Sequence, residues 1–127
     1  MMVVVDSSGW LEYFAEGENA AFFAPAIEDV EHLVVPVICV YEVFKKVLQN
    51  QGQAMAEFRV ADLVKGEVVD LSTPIAMSAA MLSAELKLPM ADSIILAISR
   101  ENNATLWTQD EHFKGLPSVQ YVEKQAN

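Results

Sequence analysis

The sequence predicts an α/β fold with a central, mainly parallel β-sheet and helices on both of its faces. Two observations indicate this fold. Short β-rich runs alternate with longer runs of helical periodicity, and the runs between strands are long enough for βα crossovers. A hydrophobic content of 53% is sufficient for a core, and the 127 residues suit one domain, expected over residues 1–127. Residues that directly follow a strand are then candidate functional residues, because ligands of such sheets bind outside the carboxyl ends of the strands.

The first half of the chain is predicted to form two strands and three helices. In order, the elements are a strand at residues 3–5, a short helix at 10–15, a turn at 16–19, a helix at 20–31, a strand at 33–35 and a helix at 37–49. The last of these helices is predicted to bury an apolar stripe composed of Val37, Val40, Tyr41, Phe44, Val47 and Leu48. Gly52, just beyond it, is a typical helix end.

The second half continues the alternation. The predicted elements are a helix at 54–65 ending at Gly66, a strand at 68–71, helices at 75–86 and 92–102, and strands at 105–107 and 119–122. Ser72 and Pro74 are typical of a helix cap followed by proline in the first turn. No repeat, low-complexity tract or linker divides the chain.

Three aspartates stand at positions that this topology brings to one edge of the sheet. Asp6 follows the first strand, Asp92 begins a helix, and Asp110 comes just after the strand at 105–107. Each alone is an ordinary helix cap or turn residue. Together they would repel one another, because like charges at close range disfavour ionisation. A divalent cation with hard oxygen ligands, such as Mg2+, would neutralise them.

The polar residues near these aspartates have ordinary structural explanations. Spacing places Glu42 opposite the apolar stripe of its helix, with Lys45 and Lys46 three and four residues on, which is typical of a solvated face. The hydroxyls of Ser7 and Thr108 are typical of helix starts and turns. With a metal present they would also orient the carboxylates.

Charge and composition restrict the class of function. The net charge of −10 argues against a broad basic nucleic-acid footprint, so a nucleic acid would be bound through a local basic patch or through cations. The acidity otherwise serves a basic protein partner or solubility. One cysteine and two histidines exclude a Cys/His zinc site, and Cys39 is expected in the core in a reducing cytoplasm. No apolar run approaches the roughly 18 residues of a membrane span, and no signal peptide is expected.

Four stretches carry a family resemblance: VVVDSSGWLEYF, VPVICVYEVFKKVL, LPMADSIILAIS and LWTQDEHF. In this order and spacing the chain resembles the PIN-domain nucleases, especially the VapC-type toxins of type II toxin–antitoxin modules. The resemblance implies a Rossmann-like, three-layer α/β/α sandwich. It also implies an endoribonuclease dependent on Mg2+ or Mn2+, commonly a homodimer, which a cognate antitoxin inhibits.

The resemblance also assigns site residues. The family's four acids correspond to Asp6, Glu42, Asp92 and Asp110. Asp6 and Asp92 would hold the main ion, and the other two would complete the site or orient the attacking water. Ser7 and Thr108 match the family's hydroxyl positions beside the acids. Glu42 is thereby promoted from a salt-bridge partner to a site residue.

One position departs from the family pattern. Where some members carry another acid two residues after the fourth, this chain has His112, which leaves the number of bound ions open. Metal-assisted hydrolysis requires no histidine, so His32 and His112 are predicted to be bystanders. A solvated-surface role is the ordinary explanation of any one basic residue near the site, and a local phosphate contact is the functional alternative. The candidates are Lys45, Lys46, Lys87 and Arg100.

Other functions remain as alternatives. A phosphoryl-accepting receiver domain also gathers acids around Mg2+, but Asp62, Asp70 and Lys114 are poorly placed for it. A dinucleotide-binding protein would have a glycine-rich loop after the first strand, where this chain has one glycine. Within the PIN family, the alternatives are a stand-alone RNA-processing nuclease and an inactive binding module.

Overall fold

A computed structural model of the chain describes residues 1–125, which form five strands and six α-helices. The strands are β1 (Val3–Val5), β2 (Leu33–Pro36), β3 (Glu67–Val69), β4 (Thr105–Thr108) and β5 (Val119–Tyr121). The helices are α1 (Ser7–Phe14), α2 (Ala20–Glu28), α3 (Val37–Gln51), α4 (Gln53–Leu63), α5 (Thr73–Leu86) and α6 (Met90–Glu101). Short 3-10 turns lie at Val30–His32 and Glu111–Phe113. The predicted alternation of strands and helices is confirmed.

The sheet has the strand order β3-β2-β1-β4-β5, and every neighbouring pair is parallel. The chain moves outward from β1 to β3 and then returns to the other side of β1 with β4. The carboxyl ends of β1 and β4 therefore flank the point where the strand order reverses, which is where open α/β sheets bind ligands. Val5 pairs with Trp107, so Asp6 and Thr108 follow at the same level.

The helices form a layer on each side of the sheet, as predicted. Right-handed crossovers place α1 to α4 on one face and α5 with α6 on the other, in agreement with the packing of α1 on α2, α3 on α4 and α5 on α6. All of β1 is buried, and α6 is buried continuously from Ser93 to Ser99. This apolar support fixes the ends of β1 and α6, from which the candidate aspartates project.

Three predicted element boundaries are wrong in an informative way. Helix α1 begins at Ser7 rather than at residue 10, because the Asp6 carboxylate caps it. Helix α2 ends at Glu28 rather than at residue 31, and a 3-10 turn follows in which the His32 backbone N–H donates to the Asp29 carbonyl. Helix α6 begins at Met90 after Pro89, so Asp92 lies within its first turn and not at its start. The other boundaries differ by two residues or fewer.

The predicted buried face of α3 is partly wrong. Tyr41 and Leu48 of the predicted stripe are 55% and 41% exposed. The buried residues of this helix are Cys39, Val43 and Val47. Residues 37–41 are all apolar, so periodicity alone does not define the face, and packing against the sheet decides it. Glu42 consequently lies beside the buried face, three residues after Cys39, and not opposite it. Cys39 is a core residue, as predicted.

Candidate active site

Asp6 is a buried carboxylate at the carboxyl end of β1, and only 3% of it is exposed. Its Oδ1 accepts a hydrogen bond from the Gly9 backbone N–H (2.9 Å), and its Oδ2 accepts one from the Thr108 hydroxyl (2.6 Å). Burial raises the pKa of Asp6 from 3.8 to about 6, although the hydrogen bonds from Thr108 and Gly9 act in the opposite direction. Ionised Asp6 therefore lacks the counter-charge that a buried carboxylate requires.

Thr108 connects two of the candidate acids. It is fully buried at the end of β4, where its hydroxyl donates to Asp6 and accepts a hydrogen bond from the Asp110 backbone N–H (2.9 Å). The Asp110 carboxylate in turn caps the following 3-10 turn by accepting from the His112 backbone N–H (2.9 Å). This chain of hydrogen bonds places Asp110 beside Asp6 across the β1–β4 boundary.

Asp92 approaches Asp110 from the first turn of α6, which lies on the face of the sheet opposite to α1 and α3. Its Oδ2 lies 2.9 Å from Nδ1 of the His112 ring, and the same nitrogen lies 3.2 Å from Oδ1 of Asp110. Burial raises the pKa of Asp92, the contact with His112 lowers it, and the neighbouring carboxylates of Asp110 and Glu42 raise it. The pKa of His112 is raised, mainly because its ring contacts Asp92.

Glu42 is held by a hydroxyl and not by the lysines expected from spacing. The Ser7 hydroxyl donates to Glu42 Oε1 at 2.6 Å, linking α1 to α3. Within residues 1–125, Glu42 forms no ion pair with Lys45 or Lys46. The prediction of a solvated salt-bridge face is therefore wrong, because α3 is rotated relative to the predicted stripe.

All four candidate carboxylates border one open cavity of about 290 Å³. Its polar lining consists of Asp6, Ser7, Ser8, Glu42, Lys46, Asp92 and Asp110. Of the four predicted phosphate-contacting residues, Lys46 alone is among the residues that line this cavity. Arg100 lies eight residues after Asp92 on α6, about 12 Å further along the helix axis. The candidate acids are thus brought together, and the other basic candidates are not.

The donor set fits a divalent cation. Ligand atoms of Asp92, Asp110 and His112 lie within 4.8 Å of one another. In the described part of the chain, no lysine or arginine forms an ion pair with any of the four acids. Closely spaced carboxylate oxygens and an imidazole nitrogen, together with uncompensated negative charge, favour a bound divalent ion.

His112 is the site residue that sequence reasoning set aside. It is 20 residues from Asp92 in the chain, and the packing of α6 against β4 brings the two side chains together. The signal available in the sequence was its position two residues after Asp110, where some PIN proteins carry another acid. His32, in contrast, contacts Asp29 on the surface (2.9 Å), and within the described residues it forms no hydrogen bond or ion pair with any of the four candidate acids.

Comparison with known proteins identifies the family of this architecture. The family model described as PIN domain matches residues 3–118. Curated protein sequences give no significant match. Among solved structures, a toxin–antitoxin complex from Klebsiella pneumoniae is similar, with a TM-score of 0.78, 21% identity, and coverage of 93% of this chain and 95% of that chain.

Two further solved structures share the fold. A VapBC complex from Rickettsia felis, bound to a DNA fragment from its promoter, has a TM-score of 0.73 at 16% identity, over 97% of this chain and 98% of the other. A sarcin–ricin loop cleaving VapC toxin from Mycobacterium tuberculosis has a TM-score of 0.70 at 15% identity, over 92% and 98% of the chains. At these identities the likeness establishes the fold.

In residues 1–125 no helix is long and apolar enough to cross a membrane.

Proposed function

This chain belongs to the PIN domain family, and on that basis we propose that it is a divalent-metal-dependent endoribonuclease and the toxin of a VapBC-type pair. One observation carries the proposal: four carboxylates and Lys46 border a single cavity at the point where the strand order reverses. The proposed substrate is RNA, and the proposed compartment is the cytoplasm. The domain is proposed to span residues 1–127.

The four acids, the two hydroxyl residues that bond to them and Lys46 have proposed roles in hydrolysing a phosphodiester. Asp6, Asp92 and Asp110 would hold Mg2+ or Mn2+, and Glu42 would complete the ligand set or orient the attacking water. Such an ion supplies charge stabilisation at the phosphoryl oxygens and activation of water. Thr108 and Ser7 would fix the rotamers of Asp6 and Glu42 through the 2.6 Å hydrogen bonds that they donate. Lys46 would contact a phosphate.

Cleavage assays on purified ribosomal and messenger RNA test the nuclease. We expect cleavage with Mn2+ or Mg2+, none with EDTA, and recovery when the ion is restored. Asp92→Asn and Asp110→Asn should each slow cleavage by at least about 100-fold, the scale on which loss of one charge-stabilising group slows other enzymes. Asp70→Asn is the matched control, because Asp70 is exposed and lies outside the cavity lining. Equal activity of all three variants would refute the assignment.

The toxin role requires a protein partner. The solved complexes from Klebsiella and Rickettsia contain such partners. A cavity whose four carboxylates form no ion pair with a lysine or arginine of residues 1–125 suits an inserted arginine or lysine of an antitoxin. The expected observation is a short reading frame beside this gene whose product copurifies with the chain and stops RNA cleavage. Cleavage without such a partner would favour the stand-alone nuclease. RNA binding without cleavage would favour the inactive module.

A homodimer is also proposed, on the family resemblance. Sedimentation of the purified chain between micromolar and millimolar concentration measures it directly, and a monomer throughout that range would refute it.

A further inference from the structure

The imidazole of His112 faces two carboxylates at the mouth of the proposed metal site. Its Nδ1 lies 2.9 Å from Asp92 Oδ2 and 3.2 Å from Asp110 Oδ1, and 52% of its side chain is exposed. The backbone of His112 is held in place, because its N–H donates to the Asp110 carboxylate and the next residue, Phe113, is fully buried. The fold therefore determines the backbone position from which the His112 ring reaches the two carboxylates.

These distances suit three ligands of one ion. Neighbouring ligand atoms of a six-coordinate ion with bonds of about 2.1 Å lie about 3 Å apart. The separations of Nδ1 from the two carboxylate oxygens are close to this value, and all three ligand atoms lie within 4.8 Å of one another. The spacing of these three ligand atoms is therefore compatible with one shared ion.

A nitrogen ligand changes which ion is preferred. Mg2+ takes oxygen ligands and gives up its water reluctantly, whereas imidazole is an ordinary ligand of first-row transition ions. An acid at position 112 would leave an all-oxygen site suited to Mg2+. The histidine makes the donor set of Asp92, Asp110 and His112 a mixed oxygen–nitrogen set.

We infer that His112 is a metal ligand and makes the site selective for Mn2+ over Mg2+. The inference rests on the proposed function, because it concerns the ion that the nuclease would use. The inference can fail while the proposed function holds, because a PIN nuclease with an all-oxygen metal site would also cleave RNA.

Mn2+ binding, followed by electron paramagnetic resonance, provides the test without measuring catalysis. The full-length protein is titrated with MnCl2 alone and in competition with MgCl2, and pulsed spectra are recorded for 14N coupling to the bound ion. His112→Ala should remove the 14N coupling and weaken Mn2+ binding by at least about tenfold, with Mg2+ affinity changed less than about twofold. His112→Asp should shift the preference toward Mg2+. His32→Ala is the matched control, because its ring makes the same 2.9 Å contact with an aspartate away from the cavity.

The outcomes separate this inference from the nuclease assignment. Wild-type and His32→Ala protein should both show the 14N coupling. If RNA is cleaved and both ions bind, but the coupling is absent or the Mn2+ to Mg2+ preference is the same in His112→Ala, the inference is wrong and the nuclease stands. Tighter binding of both ions by His112→Ala would also refute it, because His112 would then compete with the metal. Failure of the wild type to bind either ion would refute both.

Discussion

The buried charge of Asp6 makes a quantitative prediction about stability. Burial raises the pKa of Asp6 from 3.8 to about 6. At about 1.4 kcal/mol per pKa unit, this difference corresponds to about 3 kcal/mol of destabilisation when the carboxylate is ionised and no metal is bound. Asp6→Asn removes the charge and keeps the shape, so the variant should gain most of that free energy at neutral pH.

The gain is reduced by one lost hydrogen bond. In the Asp6→Asn variant, the amide oxygen of the new side chain can still accept from the Gly9 N–H. Its amide nitrogen cannot accept from the Thr108 hydroxyl, which donates to Asp6 at 2.6 Å in the wild type. The loss of one such bond costs about 1 kcal/mol. The expected net effect at pH 7.5 in a chelator is therefore a gain of about 2 kcal/mol in the free energy of unfolding.

The pH dependence identifies the cause. Because the folded-state pKa is the higher one, folded Asp6 binds more protons than unfolded Asp6 between about pH 4 and 6, and the free energy of unfolding falls as the pH rises through that range. At pH 4, the lower end of this range, most of the advantage of the variant should be lost, and the cost of the lost bond should offset what remains. Asp70→Asn, at an exposed position, should stay within about 0.5 kcal/mol of the wild type throughout.

Urea unfolding of the three proteins at pH 4 and pH 7.5, with EDTA present, is the measurement. A variant that is less stable than the wild type at pH 7.5 would refute the reasoning. So would a gain of the same size at both pH values, because the effect would then not come from the carboxylate charge.

Three further predictions concern the residues around the acids. Thr108→Val keeps the volume of a fully buried side chain but removes the hydroxyl that donates to Asp6 Oδ2 at 2.6 Å, so urea unfolding should show a loss of about 1–3 kcal/mol. Ser7→Ala frees Glu42 from its 2.6 Å hydrogen bond at a half-buried position; RNA cleavage should slow while stability falls by about 1 kcal/mol or less, and an unchanged cleavage rate would exclude a role for Ser7. Lys46→Gln should raise the KM for RNA and make that KM less dependent on salt concentration. Lys45→Gln, at an exposed position outside the cavity lining, should leave both properties unchanged.

The sequence was sufficient to predict the sheet and the positions of the three aspartates, and the physical reason is local. A strand end is marked by the change from buried apolar residues to polar ones, as at Val5 and Asp6, and a parallel sheet brings such ends to one edge. The fully buried strands β1 and β2 therefore carried enough information to predict a parallel sheet and the edge at which the aspartates lie, but not the order of the strands.

Glu42 and His112 were not predictable in the same way. The contact of Glu42 with Ser7 depends on the rotation of α3, which an almost continuous apolar run leaves undetermined until the helix packs on the sheet. The contact of His112 with Asp92 joins the 3-10 turn after β4 to the first turn of α6. Such contacts depend on tertiary packing, and spacing along the chain does not encode them.

The destabilisation at Asp6 also explains why one pocket would suit both an ion and an inhibitor. A carboxylate that is 3% exposed, with no lysine or arginine paired to it in residues 1–125, lowers the stability of the metal-free fold. A cation that binds these carboxylates in the folded state alone offsets this destabilisation, because binding at a hundred times the dissociation constant stabilises the fold by about 2.7 kcal/mol. A divalent ion and an arginine of an antitoxin would compete for the same carboxylates, and either one would offset the same destabilisation. Saturating Mn2+ should therefore erase most of the stability advantage of Asp6→Asn, which a purely structural Asp6 would not allow.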